Sequence, residues 1–312
     1  MKIMVYEARP DERADLEKQA APHGVELSVT DAVPTLENAS LAAGCIGVSI
    51  LGQGCIDAAL LDAYHALGIR YLSTRTIGYD HIDLDHARSI GLRVCSASYA
   101  PNGVADFTVM MILMCLRHYK QALWRGQVND FSLTGLQGRE MKDLTIGIIG
   151  TGRIGAQVAR NLSGFGCRIL AYDLRRNPAV EPQVTYVDFD TLLAQSDVIT
   201  LHMPLLDSNR HIINRESVAK MRDGVVIVNC SRGELADIEA LIEGIETGKI
   251  GALGMDTVEG DEGIIHADHR VDILPNRNWF YLHQFRNVIM TQHMAFYTDA
   301  AVSSMVDCGI GG

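Results

Sequence analysis

The feature that most constrains the fold is a regular alternation of short apolar stretches with helix-like stretches. Strand-like segments such as KIMVYEA and GCIGVSIL are separated by amphipathic segments such as DAALLDAYHALG. A second series of the same kind begins at Leu144 and runs to NVIMTQH. Such alternation predicts parallel sheets with helices packed on their faces. We therefore expect an α/β protein with two doubly wound parallel-sheet domains and a cleft between them.

Between the two series lies VADFTVMMILMCLRHY, residues 104–119, which has the length of a helix and is almost wholly apolar. This composition predicts a buried helix at a domain junction or a subunit interface. Core packing is favoured over a Met-lined cofactor pocket. The helix suggests a homodimer, although burial within a single chain would leave the same pattern. Residues 125–140 are polar and contain glycine, so they are expected to form a surface connection.

Charge and composition argue against several classes of function. The chain has 312 residues and a formal net charge of −11. This balance argues against a nucleic-acid partner or an anionic membrane, because phosphate-rich surfaces require a basic protein surface. No apolar run approaches the roughly 18 residues of a membrane span, and the N-terminal stretch has no signal-peptide core. Seven cysteines without CxxC spacing predict a cytoplasmic protein with reduced thiols and no metal site.

A glycine-rich turn marks a dinucleotide site at the start of the second series. Gly150, Gly152 and Gly155 form the pattern GxGxxG, which follows the strand LTIGIIG and opens a helix. Glycines at these positions allow a tight turn, a close approach of the backbone to a pyrophosphate, and close packing of helix on strand. The helix N-terminus adds free N–H groups and a partial positive charge. The motif predicts a Rossmann/flavodoxin-like nucleotide domain.

An acid at the end of the next strand indicates which dinucleotide binds. Asp173 would accept hydrogen bonds from the ribose hydroxyls of the adenosine and would repel a 2′-phosphate. Arg175 and Arg176 follow it and could meet such a phosphate, although solvated charges beyond a strand end are the simpler interpretation. We therefore expect NAD as the cofactor and favour it over NADP.

Reactive side chains follow three predicted strands of the second series. VNCSRGEL presents Arg232, MDTVEGDEG presents several acids, and TQHMAFYT presents His293. Ligands bind beyond the carboxyl ends of the strands in an open α/β sheet, so these segments are expected to share one edge with the glycine turn. The stretch HADH, His266 to His269, could hold a metal, but a solvated loop is favoured because its spacing fits no zinc pattern.

These segments belong to a longer set of motifs, namely STRTIGYDHIDL, YAPNGVADFT, GIIGTGRIG, DVITLHMPL, NCSRGEL, MDTVEG and TQHMAFYTDAAV. In this order they resemble the D-isomer-specific 2-hydroxyacid dehydrogenases. Within that family they are similar to the D-lactate dehydrogenase branch, which includes the vancomycin-resistance type. The resemblance implies NADH-dependent reduction of a small-molecule 2-oxo acid to the D-2-hydroxy acid, with pyruvate to D-lactate as first choice. Bulkier 2-oxo acids, such as 2-oxoisocaproate or phenylpyruvate, are the alternative. A non-catalytic NAD(H)-sensing protein, similar to certain corepressors, is the hypothesis from a different class.

The resemblance also implies catalytic roles for three residues. Arg232 would bind the substrate carboxylate and polarise the carbonyl, for which a planar guanidinium offers two donors. His293 would give its proton to the carbonyl oxygen during reduction. An acid beside His293 would fix the imidazole and raise its pKa. The family usually has Glu at that position, which here is Asp261; Asp261 is favoured as the partner, and the neighbouring Glu262 is the alternative.

Substrate and cofactor contacts carry over in the same way. The backbone N–H groups of Ile77 and Gly78 would hold the substrate carboxylate, and Tyr99 and Phe296 would line the side-chain pocket. The implied cofactor contacts are Gly150, Gly152, Arg153, Ile154, Gly155, Asp173, Met203, Pro204, Asn209, Cys230, Ser231, Arg232 and Asp256.

The resemblance further implies a division into two domains. Residues 1–100 plus 298–312 would form the substrate-binding domain, and residues 101–297 would form the NAD-binding domain. Members of the family continue beyond YTDAAV with a helix that returns to the first domain, whereas this sequence continues only to MVDCGIGG. A return crossing near residues 297–306 with a short final helix is therefore expected.

Overall fold

The structure, a computed structural model, describes residues 1–274 and 276–312. The strands in this part of the chain are β1 (Lys2–Val5), β2 (Glu26–Val29), β3 (Gly47–Ile50), β4 (Tyr71–Thr74), β5 (Arg93–Ser96), β6 (Thr145–Ile149), β7 (Arg168–Tyr172), β8 (Thr185–Tyr186), β9 (Val198–Leu201), β10 (Val225–Asn229), β11 (Ile250–Met255) and β12 (Val288–Met290). The helices are α1 (Arg13–His23), α2 (Ala58–Ala66), α3 (Leu84–Ser89), α4 (Asn102–Leu116), α5 (Tyr119–Gln127), α6 (Arg153–Ser163), α7 (Phe189–Gln195), α8 (Arg215–Lys220), α9 (Ile238–Glu246), α10 (Arg277–Gln284) and α11 (Asp299–Gly311).

The chain divides into two compact units. Unit 1 comprises Met1–Ala100 and Tyr297–Gly312, and unit 2 comprises Pro101–Phe296. The chain returns to unit 1 at Tyr297, one residue before the expected position. The guanidinium of Arg9 lies over the Tyr297 ring, 4.9 Å from its centroid, which is a cation–π contact within unit 1.

Unit 1 is built on a parallel sheet of strand order β2-β1-β3-β4-β5. Ile50 and Leu72 from neighbouring strands pack with Leu61 of α2, and all three are fully buried. The α2 helix begins where the sequence supplies a cap, since the Asp57 carboxylate accepts the N–H of Leu60 at 2.9 Å. These packed apolar side chains explain why the alternating pattern folds as a sheet covered by helices.

The final helix α11 is longer than expected and completes the core of unit 1. It continues well past residue 306, because Val306 and Ile310 are buried together with Leu16 of α1. The Ser73 hydroxyl also donates to the carbonyl of Gly309 at 2.6 Å. The expectation of a short helix was wrong because the sequence pattern alone does not reveal which core the terminal apolar residues enter.

Unit 2 is built on a parallel sheet of strand order β12-β11-β10-β9-β6-β7-β8. The order runs outward from β6 in both directions, so the sheet is doubly wound, with β6 and β9 adjacent where the direction reverses. Ligands of such sheets bind at this reversal, beyond the carboxyl ends of the strands. The α/β class predicted from the sequence is therefore confirmed.

The apolar helix α4 is buried within unit 2. It packs on α6, β10 and β11, and Val104, Met111 and Ile112 are buried, whereas Met110 is exposed. Burial within a single chain, one of the two origins considered for the pattern, therefore accounts for most of this helix. The helix ends at Leu116 rather than at residue 119.

A helix that was not expected follows α4. Helix α5 occupies Tyr119–Gln127 and follows His118, which has a left-handed conformation with φ 51°. It includes only the first three residues of the expected surface connection, residues 125–140, and the rest of that stretch is irregular. The strand β8 and the helix α10 are further elements that the alternation did not predict. Among the described residues, no helix is both long and apolar enough to span a bilayer.

Candidate active site

The glycine turn between β6 and α6 has the geometry of a dinucleotide site. Gly150 has φ 92°, and a Cβ there would meet the carbonyl of His202 at 2.7 Å. A Cβ on Gly155 would overlap the carbonyl oxygen of Gly150. A Cβ on Gly152, in contrast, would meet no atom within 4 Å. Two of the glycines are thus required by the packing of the turn, and the third leaves open space for a ligand.

Arg153 and Ile154 lie in the first turn of α6, directly after Gly152. The Gly152 N-cap has no side chain that could satisfy the first N–H groups of the helix. These donors and the helix dipole favour an anion such as a pyrophosphate. This part of the chain therefore fits a dinucleotide.

Asp173 follows β7 and faces the glycine turn. One oxygen of its carboxylate accepts the backbone N–H of Thr151 at 2.6 Å and the Thr151 hydroxyl at 3.0 Å. The other oxygen accepts the N–H of Arg175 at 2.9 Å. The Arg176 guanidinium lies over the Tyr186 ring. Asp173 thus ties the turn to the end of β7, and its contact with an adenosine ribose stays a prediction.

The other predicted cofactor contacts form the loops that follow β9 and β10. The Ser231 hydroxyl donates to the carbonyl of Met203 at 2.6 Å, which joins the two loops. The Asn209 amide donates to the carbonyl of Pro204 and accepts the N–H of Leu206, both at 2.8 Å. Asn209 therefore holds its own loop, a role that the sequence did not suggest.

Two polar side chains near these strand ends are kept neutral by burial. Burial lowers the pKa of the His202 imidazole to about 3, and its Nε2 lies 2.9 Å from the Thr200 hydroxyl. Burial likewise raises the pKa of the Cys230 thiol. Both side chains are therefore uncharged at neutral pH.

The segments carrying Arg232, Asp256 and His293 leave three adjacent strands at the same level. Asn229 pairs with Met255 across β10 and β11, and Met255 pairs with Met290 across β11 and β12. The backbone continues this alignment, because the N–H of Asp256 donates to the carbonyl of Asn229 at 2.9 Å. The three segments therefore share one edge of the sheet, which is the placement predicted from the sequence.

Arg232 is held at the end of β10 by its own segment. Its Nη1 donates to the carbonyl of Ser231 at 2.9 Å, and its carbonyl accepts the Asn229 amide at 2.8 Å. The next residue, Gly233, packs directly on the backbone of Val258, and a Cβ there would overlap it. The arginine segment and the acidic loop after β11 are thus in direct contact.

The acidic side chains of the loop after β11 lie in different environments. Asp261 is half-buried, and burial raises the pKa of its carboxyl to about 6, with the nearby acids Glu262, Glu234 and Asp256 adding to the effect. Glu262 itself is exposed. A raised pKa and partial burial are features of functional acids; the role of Asp261 as the partner of His293 stays a prediction.

Glu259, in the same loop, has a structural role. Its Oε1 lies 2.6 Å from Nε2 of His211, and its Oε2 accepts the N–H of Ile238 at 3.4 Å. These contacts tie the acidic loop to the start of α9.

Asp256 is buried and holds the segment that carries His293. Its Oδ1 accepts the Thr291 hydroxyl at 2.5 Å and the N–H of Met294 at 2.9 Å. Its Oδ2 accepts the N–H of Ala295 at 2.8 Å. Asp256 was expected to contact the cofactor, and these hydrogen bonds were not predicted, because partners 35 to 39 positions apart leave no local pattern.

His293 lies in a group of aromatic rings. Its ring centroid is 6.2 Å from that of His266 and 6.4 Å from that of Phe296, whose plane is nearly perpendicular to the imidazole. His266 also lies 6.5 Å from Phe296, and its Nε2 is 3.3 Å from the carbonyl oxygen of His293. As expected, HADH lies in a largely exposed loop, and the ring of His266 is also part of this aromatic group.

The predicted substrate residues of unit 1 lie beyond β4 and β5. Ile77, Gly78 and Tyr99 are half-buried. The Thr76 hydroxyl donates to the carbonyl of Gly78 at 2.6 Å, which fixes this loop. Their contacts with a substrate stay predictions. Among the described residues, no group of three His, Cys, Asp or Glu side chains is arranged to hold a metal ion.

Comparisons with known proteins bear on this site. Residues 109–295 match the family profile described as D-isomer specific 2-hydroxyacid dehydrogenase, NAD binding domain. The chain is 42% identical over 311 residues to an aromatic 2-oxoacid reductase of Clostridium sporogenes, covering 98% of this chain and 93% of that protein. It is 39% identical to the D-lactate dehydrogenase of Lactobacillus delbrueckii subsp. bulgaricus, covering 98% and 92%.

The fold is shared with a solved structure that contains the cofactor. The NAD-complexed D-isomer specific 2-hydroxyacid dehydrogenase of Lactobacillus delbrueckii subsp. bulgaricus superposes with a TM-score of 0.84 at 31% identity, covering 98% of this chain and 94% of that one.

Proposed function

This chain belongs to the D-isomer-specific 2-hydroxyacid dehydrogenase family, and we propose that the substrate it reduces best is a 2-oxo acid with an aromatic side chain. It is an NAD-dependent enzyme that converts a 2-oxo acid to the corresponding D-2-hydroxy acid. NADH supplies the hydride when it is bound. The remaining question is therefore which 2-oxo acid the site selects.

The observation that carries the proposal is the group of rings around His293. The ring centroids of His266 and Phe296 lie 6.2 and 6.4 Å from that of the His293 imidazole and 6.5 Å from each other, in tilted or edge-on orientations. An aromatic pair adds about 0.5–1.5 kcal/mol beyond the burial of its area, which corresponds to about 2- to 12-fold in kcat/KM. A phenyl or indole side chain would gain from these rings, whereas a methyl group would not.

The relatives support two substrates. Aromatic substrates are supported by the reductase of Clostridium sporogenes, which is 42% identical. Pyruvate, the first choice of the sequence analysis, is supported by the D-lactate dehydrogenase, which is 39% identical. Pyruvate to D-lactate is therefore the second candidate.

We assign the chemistry to residues at the shared strand edge. Arg232 binds the substrate carboxylate and polarises the 2-oxo group through its guanidinium. His293 gives the proton of its imidazole to the 2-oxo oxygen as the C2 carbon is reduced. Asp261 orients the imidazole of His293 and favours its protonated form. In the reverse direction the same imidazole takes the proton from the D-2-hydroxy acid.

The test is a panel of phenylpyruvate, 2-oxoisocaproate and pyruvate, with oxidation of NADH followed by absorbance. We expect the highest kcat/KM with phenylpyruvate. Phe296→Ala and His266→Ala should lower kcat/KM for phenylpyruvate by about 2- to 12-fold more than for pyruvate. Asp268→Asn, an exposed change in the same loop as His266, is the matched control. A higher kcat/KM with pyruvate, unaffected by either ring, would reject the aromatic proposal.

We also propose that the enzyme is a homodimer. Helix α5 and the following loop expose Leu123, Trp124, Phe131 and Leu133 by 51, 64, 79 and 83% of their surface. Exposed apolar groups of this kind mark interaction surfaces, and closed two-fold dimers are the commonest assembly that covers one. Analytical ultracentrifugation should give a dimer for the wild type and a monomer for Trp124→Glu. A monomeric wild type would reject the proposal.

We further propose a cytoplasmic location. Its support is the state of the cysteines, all seven of which are free thiols, as in proteins of reducing compartments. Fractionation of the source cells, with enzyme activity as the marker, tests it; recovery outside the cytoplasmic fraction would reject it.

A further inference from the structure

The turn that carries His293 is held from a neighbouring strand end. Asp256 is only 1% exposed, and its carboxylate accepts the Thr291 hydroxyl and the backbone N–H groups of Met294 and Ala295. The N–H of Thr291 also donates to the carbonyl of Met255 at 3.0 Å. The hydrogen bonds of one carboxylate therefore lie on both sides of His293 in the chain.

The backbone of His293 needs such support. Its φ of 53° is left-handed, a conformation that costs a non-glycine residue free energy and persists where the surroundings fix it. Hydrogen bonds to an ionised carboxylate are stronger than those between neutral groups. A buried carboxylate that accepts hydrogen bonds from three donors can therefore hold this turn in one conformation.

We propose that Asp256 is a positioning residue for His293. Its carboxylate fixes the turn between Thr291 and Ala295 and thereby the direction in which the imidazole points. The proposal rests on the proposed proton-transfer role of His293. It differs from the cofactor contact that the sequence analysis expected for Asp256, since loss of a cofactor contact raises the KM for NADH, whereas loss of positioning lowers kcat.

Thr291 allows a test that leaves the carboxylate in place. Thr291→Val removes one of the three donors at nearly constant volume, and Thr291→Ser keeps the hydroxyl. We expect kcat to fall by at least about tenfold in Thr291→Val, because a displacement of about 1 Å at a catalytic group can cost a hundredfold. The KM for NADH should stay within about twofold, the range of a change that leaves cofactor binding intact. Thr291→Ser should recover most of the kcat.

Asp256→Asn extends the test to the carboxylate. An amide places N–H donors toward the backbone N–H of Met294 or Ala295, so at least one hydrogen bond is lost. We expect a larger loss of kcat than in Thr291→Val. Gln292→Ala is the matched control, because Gln292 is an exposed residue beside His293 in the same turn, and it should keep the wild-type kcat.

A spectroscopic readout separates this proposal from the proposed function. The imidazole proton resonance of His293 is assigned by its loss in His293→Gln. It should move or broaden in Thr291→Val and Asp256→Asn, and stay in place in Thr291→Ser and Gln292→Ala. An unchanged resonance and kcat in Thr291→Val, or a rise in the KM for NADH alone, would overturn the positioning role. Turnover retained by His293→Gln would instead overturn the proposed function.

Discussion

One oxygen of the Asp261 carboxylate accepts the backbone N–H of Val258 at 3.1 Å, so the acid is folded back into its own loop. The same position buries the carboxyl and raises its pKa to about 6. The loop thus contains an acid that changes charge close to neutral pH, beside the strand ends that carry Arg232 and His293.

The raised pKa of Asp261 predicts a pH-dependent loss of stability. The folded state holds the proton up to pH of about 6, whereas an unfolded Asp releases it near 3.9. Protonation therefore favours the folded state, and this contribution is lost as the pH rises from about 4 to above 6. Relative to Asp261→Asn, the wild type should lose on the order of 2–3 kcal/mol of unfolding free energy over that range. Urea unfolding at several pH values measures it. Glu262→Gln removes a neighbouring charge that adds to the shift, so it should reduce the pH dependence only in part; a flat difference for Asp261→Asn would refute the shifted pKa.

Asp261 should also set the alkaline limit of 2-oxo acid reduction. A carboxylate beside the imidazole favours its protonated form, so its removal lowers the pKa of His293. Asp261→Asn should therefore lower the pH at which kcat/KM fades, whereas Glu262→Gln should leave it in place. A pH profile of NADH oxidation checks this. A shift in Glu262→Gln alone would assign the partner role to Glu262.

Replacing the two principal catalytic candidates should separate proton transfer from substrate binding. His293→Ala should lower kcat by about two to four orders of magnitude, the usual effect of losing a proton-transfer group. Arg232→Ala should chiefly raise the KM for the 2-oxo acid, because the bidentate partner of the carboxylate is lost. Steady-state kinetics distinguishes the two outcomes, with the exposed Arg286→Ala as control. A His293→Ala enzyme with most of its kcat would contradict the assignment.

Two glycine-to-alanine substitutions in the glycine turn should have different effects, one on stability and the other on NADH affinity. Gly155→Ala places a methyl group against the Gly150 carbonyl, so it should lower the unfolding free energy by about 1–3 kcal/mol. Gly152→Ala meets no neighbouring atom, so its melting temperature should stay at the wild-type value. Its affinity for NADH should nevertheless fall by about tenfold, or about 1.4 kcal/mol, because the methyl group occupies the path of the pyrophosphate. Thermal melting and NADH fluorescence titration test the pair. Unchanged NADH affinity in Gly152→Ala would place the pyrophosphate elsewhere.

The repeating strand–helix pattern was sufficient to predict the two sheets and the sheet edge on which the site lies. Strand–helix alternation predicted the α/β class, and the positions of Arg232 and His293 after strands of the same parallel sheet predicted that they share an edge, because parallel strands end together. Elements whose stability depends on packing elsewhere were missed. Helix α5 is polar on one face and exposes apolar groups on the other, and α11 is extended by a core that the sequence does not display.

Residues of the site were predicted when the local motif carries the information. The roles of Gly150 and Gly155 follow from the turn itself, and the structure places them as expected. The hydrogen bonds of Asp256 and the ring contacts of His266 were not predicted, because both depend on how distant loops meet. A histidine in a polar loop carries no local sequence signal that its ring lies 6.2 Å from that of His293.

The discontinuity of unit 1 has a consequence for biosynthesis. Its core includes Val306 and Ile310 of α11, which pack with Leu16, whereas unit 2 is one unbroken stretch, Pro101–Phe296. Translation therefore makes all of unit 2 before it makes the helix α11, which packs into the core of unit 1. The contacts between Leu16 and α11 cannot form until then, although residues 1–100 are made before unit 2. Formation of this part of the unit 1 core is thereby tied to a late stage of synthesis.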